Sequence, residues 1–447
     1  MNIHIAFPHP KVRALIKRLL KAGLDAADPV MATKNALAVE GSVLHVGRKT
    51  YDLKKFDRIV CVGAGKASGM MAVALEQRIR HFLSGGLVVV KDQSGCRTKK
   101  VSILEASHPV PDARSVHAAK KILAIAESLT HRDLMLVLIS GGASSLLAAP
   151  APGLTLTDKK QTTNLLLRSG VPIQEINAVR KHLSAIKGGR LAAATQATII
   201  SLVLSDVLGD DLGTIGSGPT APDPTTFEKA CEIVKKYRLW SCLPAAVQEH
   251  LHMGVAGLIP ETPNPRNRGF ARVRHEIIGN NRLTIEAIQK QASAEGLHPF
   301  VMTRRVEGEA REVGKMIAST GKDLLLSTKP VSRPACLIWG GEPTVTVRGK
   351  GKGGRAQEVV LSAALHIAGQ PHLYVAGFGT DGNDGPTDMA GAMVDGHTVE
   401  RATRLHLNAA QALNRNDSYG FFQKVGGHIY TGTTGTNVND IYVFLAL

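Results

Sequence analysis

Short, wholly apolar runs alternate along this chain with longer stretches in which apolar residues recur every three or four positions. The first kind reads as buried strands and the second as amphipathic helices. Strands are predicted at 58–62, 87–90, 134–139, 198–204, 273–278, 299–302, 335–339, 344–347, 373–376, 428–430 and 441–446. Helices are predicted where Val12, Leu15, Ile16, Leu19 and Leu20 share a face opposite Lys and Arg, and where Met70, Met71, Ala74 and Leu75 recur at helical spacing. Further helices are predicted over 113–129, 157–169, 174–194, 281–295, 307–326 and 356–367. Strand followed by helix, many times over, argues for an α/β fold. No internal repeat or low-complexity tract interrupts it. The stretch 257–269 carries three prolines and no periodicity, so a boundary is expected there, with domains at 1–265 and 266–447.

The polar residues at the strand ends point to chemistry. In open α/β sheets, ligands bind in the crevice beyond the strand ends. The strand at 58–62 enters Gly63-Ala64-Gly65-Lys66-Ala67-Ser68, then a helix. That is the layout of an anion site at a helix N-terminus. It is not a Walker A loop, since Val60 and Ala67 stand where Gly and Ser or Thr belong, and Ser68 spoils a GxGxxG. Lys66 is the sharper feature, a cation aimed at the crevice. Ser140-Gly141-Gly142-Ala143-Ser144 follows the strand at 134–139 and forms a second anion-ready turn. No G-x-S-x-G elbow is present, which argues against a serine hydrolase. Asp206 closes the strand at 198–204 as a candidate for a metal or a substrate hydroxyl. Asn177, Arg180, Lys181, Lys187 and Arg190 either cap a site or face solvent.

The second half concentrates such signals between 335 and 388. Glu342 follows one strand, and Arg348-Gly349-Lys350-Gly351-Lys352-Gly353-Gly354-Arg355 precedes a helix. Asp381 and Asp384 follow another strand. The glycine loop is either a phosphate cradle or a solvated hairpin, and Asp384 either belongs to the site or is a turn residue. Carboxylates beside a polyanion imply a hard cation such as Mg²⁺.

Composition narrows the classes. The chain has 447 residues, enough for two or three domains. With 44% hydrophobic and 20% charged residues it is a globular sequence. Its 45 glycines exceed the usual share of about 7%, as strand-to-helix turns require. The charge balance, 54 − 37 = +17, would suit nucleic acid, but no run of five cations appears and aromatics are only 4%. A small anionic substrate explains the excess better, and no nucleic-acid or membrane partner is expected. Cys61, Cys96, Cys231, Cys242 and Cys336 show no C-x-x-C spacing and read as reduced thiols of a cytoplasmic protein. There is no HExxH, no apolar run of eighteen and no signal-peptide core. The basic first helix could mimic a transit peptide, but a docked helix is the better reading.

Several stretches together resemble one family. They are GAGKAS at 63–68, HPVPD at 108–112, SGGASSLL at 140–147, INAVRKHLSAIKGGRLA at 176–192 and LSDVLGDDLGTIGSGPTAPDPTT at 204–226. To these are added GGRAQE at 353–358, TDGNDGPTDMAGA at 380–392 and TGTNVND ending at Asp440. Nearly the whole chain is similar to the MOFRL-type glycerate 2-kinases, a family that also carries a hydroxypyruvate-reductase name. The resemblance implies an N-terminal Rossmann-like α/β/α domain with a parallel sheet. It implies a smaller C-terminal MOFRL α/β domain with a mixed sheet, and a site in the cleft between them. The implied reaction is ATP-dependent phosphorylation of D-glycerate at the 2-hydroxyl, with Mg²⁺ or another divalent cation, giving 2-phosphoglycerate. Lys66, Arg355 and Asp206 are the implied catalytic residues. Gly63, Gly65, Ser140, Gly141, Gly142, Ser144, Asn437 and Asp440 are the implied substrate- or nucleotide-binding residues, and Glu342 and Asp381 the implied metal ligands. Two positions depart from the family pattern: Ala356 replaces an Asn, and Ser107 a Gly. An NAD(P)H-dependent hydroxypyruvate reductase is the alternative activity, and a non-catalytic sugar-acid or nucleotide sensor the alternative class. Oligomeric state is left open, a homo-oligomer included.

Overall fold

The computed structural model describes residues 3–326 and 329–447. Its chain divides into two units, one of residues 29–278 and one joining 1–28 to 279–447.

In the unit of residues 29–278, the apolar runs build one six-stranded sheet. Its order is Val273–Gly279, Thr198–Leu204, Leu134–Ile139, Ile59–Ala64, Gly85–Lys91 and Val101–Ala106. The last five are parallel. Leu134–Ile139 and Ile59–Ala64 are wholly buried, as expected of strands covered on both faces. From Ile59–Ala64 the chain moves outward to Gly85–Lys91 and Val101–Ala106, then returns to the other side at Leu134–Ile139. The point of reversal is therefore the pair of strands that lead into Lys66 and Ser140. A small antiparallel sheet, Ala38–Glu40, Val43–Val46 and Lys49–Asp52, was not legible in the apolar pattern.

The other unit is a seven-stranded mixed sheet. Its order is His4–Ile5, His428–Tyr430, Gly391–Asp395, Leu373–Gly379, Asp440–Ala446, Ala335–Gly341 and His298–Val306. Among the described residues, only His298–Val306 and Ala335–Gly341 pair in parallel; the remaining pairs are antiparallel. The α/β class, with one parallel and one mixed sheet, is as expected.

Four details differ from the expectation. The strand at 273–278 completes the first sheet, so the change of unit falls after it and not at residue 265. Helix Pro10–Ala26 belongs with the distant 279–447 segment. Its Ile16, Leu19, Leu20 and Leu24 are buried in one core with Ile285 and Ile288 of helix Asn281–Ala294. Gly23 lets the two helices close up, since a Cβ there would lie 2.8 Å from Ile288. Finally, 344–347 is not a strand. Thr344 makes an isolated bridge to Glu309, Thr346 donates to the Glu309 carboxylate, and Val347 is exposed. Likewise the long helix at 174–194 breaks after Ile173–His182, where Gly188 and Gly189 take left-handed backbone.

Leu20→Ala removes a fully buried side chain from the two-helix seam and should cost about 2–4 kcal/mol. Hydrogen exchange should show lost protection in Asn281–Ala294 and unchanged protection in Thr198–Leu204. Equal loss in both would contradict the assignment of residues 1–28.

Candidate active site

Each unit gathers charge at the ends of its central strands. In the 29–278 unit, Ile59–Ala64 ends at a turn whose Lys66 amide donates to the Gly141 carbonyl at 2.8 Å. This ties the first candidate turn to the second. Gly65 has φ +141°, and a Cβ on it would collide with Ser140, so glycine is required. The Ser140 hydroxyl is buried. It accepts from the Ala67 amide at 3.0 Å and lies 3.0 Å from the Ser68 hydroxyl, which reaches the Leu138 carbonyl. Ser140 thus clips the two turns together.

Lys66 itself is exposed and has no acidic partner among the described residues. Gly142, at φ +84°, sits against it: a Cβ there would lie 2.9 Å from the His108 ring and 3.4 Å from the Lys66 stem. Burial, then the charges of Lys66 and Lys91, push His108 down to about 4, so its imidazole is neutral near pH 7. Asp206, half-buried at the end of Thr198–Leu204, packs directly on Gly141, where a Cβ would strike its carboxylate. Lys66, His108, Gly141, Gly142 and Asp206 therefore form one cluster at the point where the strand order reverses.

A second cationic group surrounds Ser144. The Ser144 hydroxyl accepts from Arg180 at 2.7 Å and from Lys187 at 3.1 Å, and lies 2.7 Å from the Ser217 hydroxyl. Lys187 also donates to the carbonyls of Ser144 at 2.7 Å and Gly216 at 3.3 Å. Lys159 donates to the Leu183 carbonyl at 2.7 Å. Burial, and then Arg180, lower Lys159 to about 7, while burial and its two cationic neighbours hold Lys187 well below its ordinary value. Lys181, by contrast, is paired with buried Asp223 at 3.3 Å.

In the other unit the sheet register assembles the site. Asp440 opens the central strand Asp440–Ala446 and lies opposite Gly341 on one side and Gly379 on the other. Three strand ends thus share one row. Glu342 follows the first, Asp381 follows the second, and Arg355 begins helix Arg355–His366 above them. Arg355 grips Asp440 through Nε at 2.6 Å and a terminal nitrogen at 3.1 Å, and reaches Glu342 at 2.7 Å. Tyr442 donates to Asp440 at 3.2 Å, and Asn439 to the other Glu342 oxygen at 3.0 Å. Burial pushes the Asp440 carboxyl up to about 7 against the pull of Arg355. Burial alone would lower Arg355, but the charge and hydrogen bonds of Asp440, then Glu342, raise it.

Asp381 has no cationic partner among the described residues, and its Oδ1 accepts from the Asn383 amide at 3.1 Å. A Cβ on Gly379 would lie 3.3 Å from Asp381 Oδ1 and 3.4 Å from Asp440 Oδ1, so the two carboxylates converge. Asp384 caps the Arg355 helix instead, accepting from the Ala356 amide at 2.9 Å and the Gln357 amide at 2.8 Å. Asn437 accepts from the Asn439 amide at 3.2 Å.

The glycine loop is not an open cradle. The Arg348 and Gly349 amides donate to Asn416, and the Lys352 amide to Asp417. Cβ atoms on Gly349, Gly351 or Gly353 would collide with residues 415–418. The pattern signalled close backbone approach correctly, but the partner is the protein's own chain. The sequence pattern leaves Arg180 and Lys187 open between capping a site and facing solvent, and nothing in it marks Lys159 or places His108 beside Lys66. The HPVPD run was the available signal for His108.

Comparison with known proteins agrees with this double α/β arrangement. Residues 15–252 match a family model described as a domain of unknown function (DUF4147), and residues 335–440 match the MOFRL family. The chain is 40% identical to a glycerate 2-kinase of Pyrococcus horikoshii over 97% of each chain. It is 42% identical to an Agrobacterium vitis protein with a hydroxypyruvate-reductase name, over 87% of this chain and 99% of that one. A crystal structure of glycerate kinase from Thermotoga maritima superposes with a TM-score of 0.88 at 36% identity, covering 98% of this chain and 100% of the other. These matches put the chain among kinases that join a DUF4147 region to a MOFRL region. It belongs to the glycerate 2-kinase family.

Asp384→Ala leaves two buried amides without acceptors and should cost about 1–3 kcal/mol in thermal unfolding. Asp381→Ala, which loses one exposed contact, should cost less than half as much. The reverse order would mean that Asp384 does not cap the helix.

Proposed function

We propose that this protein is a glycerate 2-kinase that transfers the γ-phosphoryl group of ATP to the 2-hydroxyl of D-glycerate. The observation that carries the reading is similarity to named glycerate 2-kinases over nearly the full length of both chains. The site chemistry supports it. Phosphoryl transfer depends on positioning and on stabilising charge that spreads over the transferred group. Lys66 offers an exposed, acid-free ammonium at a strand-to-helix turn beside Gly141 and Gly142. Arg355 offers a guanidinium held in orientation by Asp440 and Glu342. In the proposed step the 2-hydroxyl oxygen attacks the γ-phosphorus, the bond to the bridging oxygen breaks, and ADP leaves. The hydroxyl proton passes to a carboxylate, for which Asp206 is the candidate.

A divalent cation would neutralise charge on the nucleotide's phosphates. Mg²⁺ is usually held by one or two carboxylates plus phosphate oxygens. Asp381 fits that duty, since it converges with Asp440 and lacks a cation. Glu342 fits it less well, because both its oxygens already accept hydrogen bonds. Among the described residues no group of three or more His, Cys, Asp or Glu side chains is assembled to hold a metal ion, so the substrate's phosphates would complete the shell. The five cysteines are free thiols, which supports a reducing, cytoplasmic setting. Among the described residues no helix is long and apolar enough to cross a membrane.

Hydride transfer is the weaker reading. The turn after Ile59–Ala64 carries Lys66 where a dinucleotide needs only close backbone approach. Ser68, in place of the third glycine, is spent on Ser140 and Leu138.

Lys66→Ala should lower kcat by about 10²–10³-fold with the fold intact. Arg355→Ala is a poor partner experiment, because it strands buried Asp440. Arg355→Lys keeps the charge, loses the two-pronged grip, and should lower kcat by a comparable factor. The assay is ADP release with D-glycerate, run beside NADH oxidation with hydroxypyruvate, with circular dichroism as the folding control. Turnover near wild type in both variants would remove the two residues from the mechanism, and hydroxypyruvate-dependent NADH oxidation without ADP release would replace the kinase reading.

A further inference from the structure

A cavity of about 230 Å³ opens beside Ser144, within the 29–278 unit. Its walls are largely apolar, with Pro109, Val110, Pro111, Leu156 and Leu167 among them. Three cations, Lys159, Arg180 and Lys187, line the same space. None has a carboxylate partner among the described residues, whereas nearby Lys181 is paired with Asp223. Lys159 is 9% exposed and Lys187 1%. Isolated buried cations are costly, and are rarely kept without a counter-charge.

Counting hydrogen-bond donors separates their duties. An ammonium has three N–H groups and a guanidinium five. Lys187 uses three, on the Ser144 carbonyl, the Ser144 hydroxyl and the Gly216 carbonyl. It is saturated and holds the turn. Arg180 uses one, on Ser144, and Lys159 one, on Leu183. Arg180 therefore keeps four donors and protonated Lys159 two, with a cavity in front of them. The Ser144 hydroxyl, already accepting from two cations, must turn its own proton toward Ser217, which donates in turn to Asn177 at 3.1 Å. The hydroxyl is thus fixed as an acceptor for the cations and offers an incoming anion no proton.

We infer that Arg180 and Lys159 form the carboxylate-recognition site for the hydroxy-acid substrate, with Lys187 as the positioning residue that fixes the Ser144 turn. This rests on the glycerate 2-kinase reading. The cavity lies below the range of about 300–1,000 Å³ typical of drug-sized ligands, so a three-carbon acid suits it and a nucleoside triphosphate does not. Apolar surface beside the buried Lys159 makes a charge-assisted bond there stronger than it would be in bulk water.

The test uses the full-length protein and two variants that keep the structural bonds. Lys159→Gln retains an N–H for Leu183, and Arg180→Gln one for Ser144. Binding of D-glycerate alone, measured by titration calorimetry, should weaken at least tenfold in each variant, while thermal unfolding stays within a few degrees of wild type. In turnover, KM for D-glycerate should rise by a similar factor with KM for ATP unchanged. Preference for D-glycerate over uncharged glycerol should shrink, which a merely structural role would not produce. Unchanged D-glycerate binding in both folded variants would overturn the assignment, as would a shift in ATP KM alone. Failure of the wild type to release ADP, with calorimetric binding still lost in the variants, would overturn the kinase reading and leave the carboxylate site standing.

Discussion

A carboxylate fixed at the first position of a central strand, with both neighbouring strands ending beside it, has no water to turn to. Asp440 is in that position, and the guanidinium of Arg355 answers it. The pairing orients Arg355 and leaves its remaining face to Glu342. The helix that carries Arg355 is held in turn by Asp384 on its first two free amides. Strand register, the ion pair and the helix start are therefore one construction. Moving any of them moves that guanidinium.

The 29–278 unit follows the opposite electrostatic plan. Its central turns are joined by neutral contacts, chiefly the Ser140 hydroxyl and the Lys66 amide, and its exposed ammonium is left without an acid. Deeper in, the excess of positive charge is not solvated either. One buried lysine is saturated by two carbonyls and a hydroxyl, while its neighbours retain donors.

Local chemistry was readable from the sequence where it depends on neighbours in the chain. Strand, glycine turn and helix around Lys66 follow from residues within ten positions of one another, and so do the strand ends at Ser140, Asp206 and Glu342. The α/β class follows from the same alternation. What depends on register or on distant segments was not readable. Asp440 meets Arg355 across 85 positions, and nothing near either residue announces it. The glycine loop looked anion-ready because tolerance of close approach is encoded locally, while the identity of what approaches is not. Lys159 lies on a mixed-polarity helix where a lysine normally points to water, so its burial had no local signature. Proline-rich loops also occur inside a compact unit, here just before the edge strand Val273–Gly279, so they mark a change of unit only loosely.

The first helix has a consequence for biogenesis. Pro10–Ala26 leaves the ribosome early, yet the residues that bury Ile16, Leu19 and Leu20 are translated only after all of 29–278. For most of synthesis, then, an amphipathic, basic segment waits with its greasy side uncovered while an entire parallel sheet forms downstream. Long-range closure of this kind slows maturation and exposes sticky surface. Residues 10–26 can be buried only once residues 279–447 exist to cover them, so this helix closes its unit late.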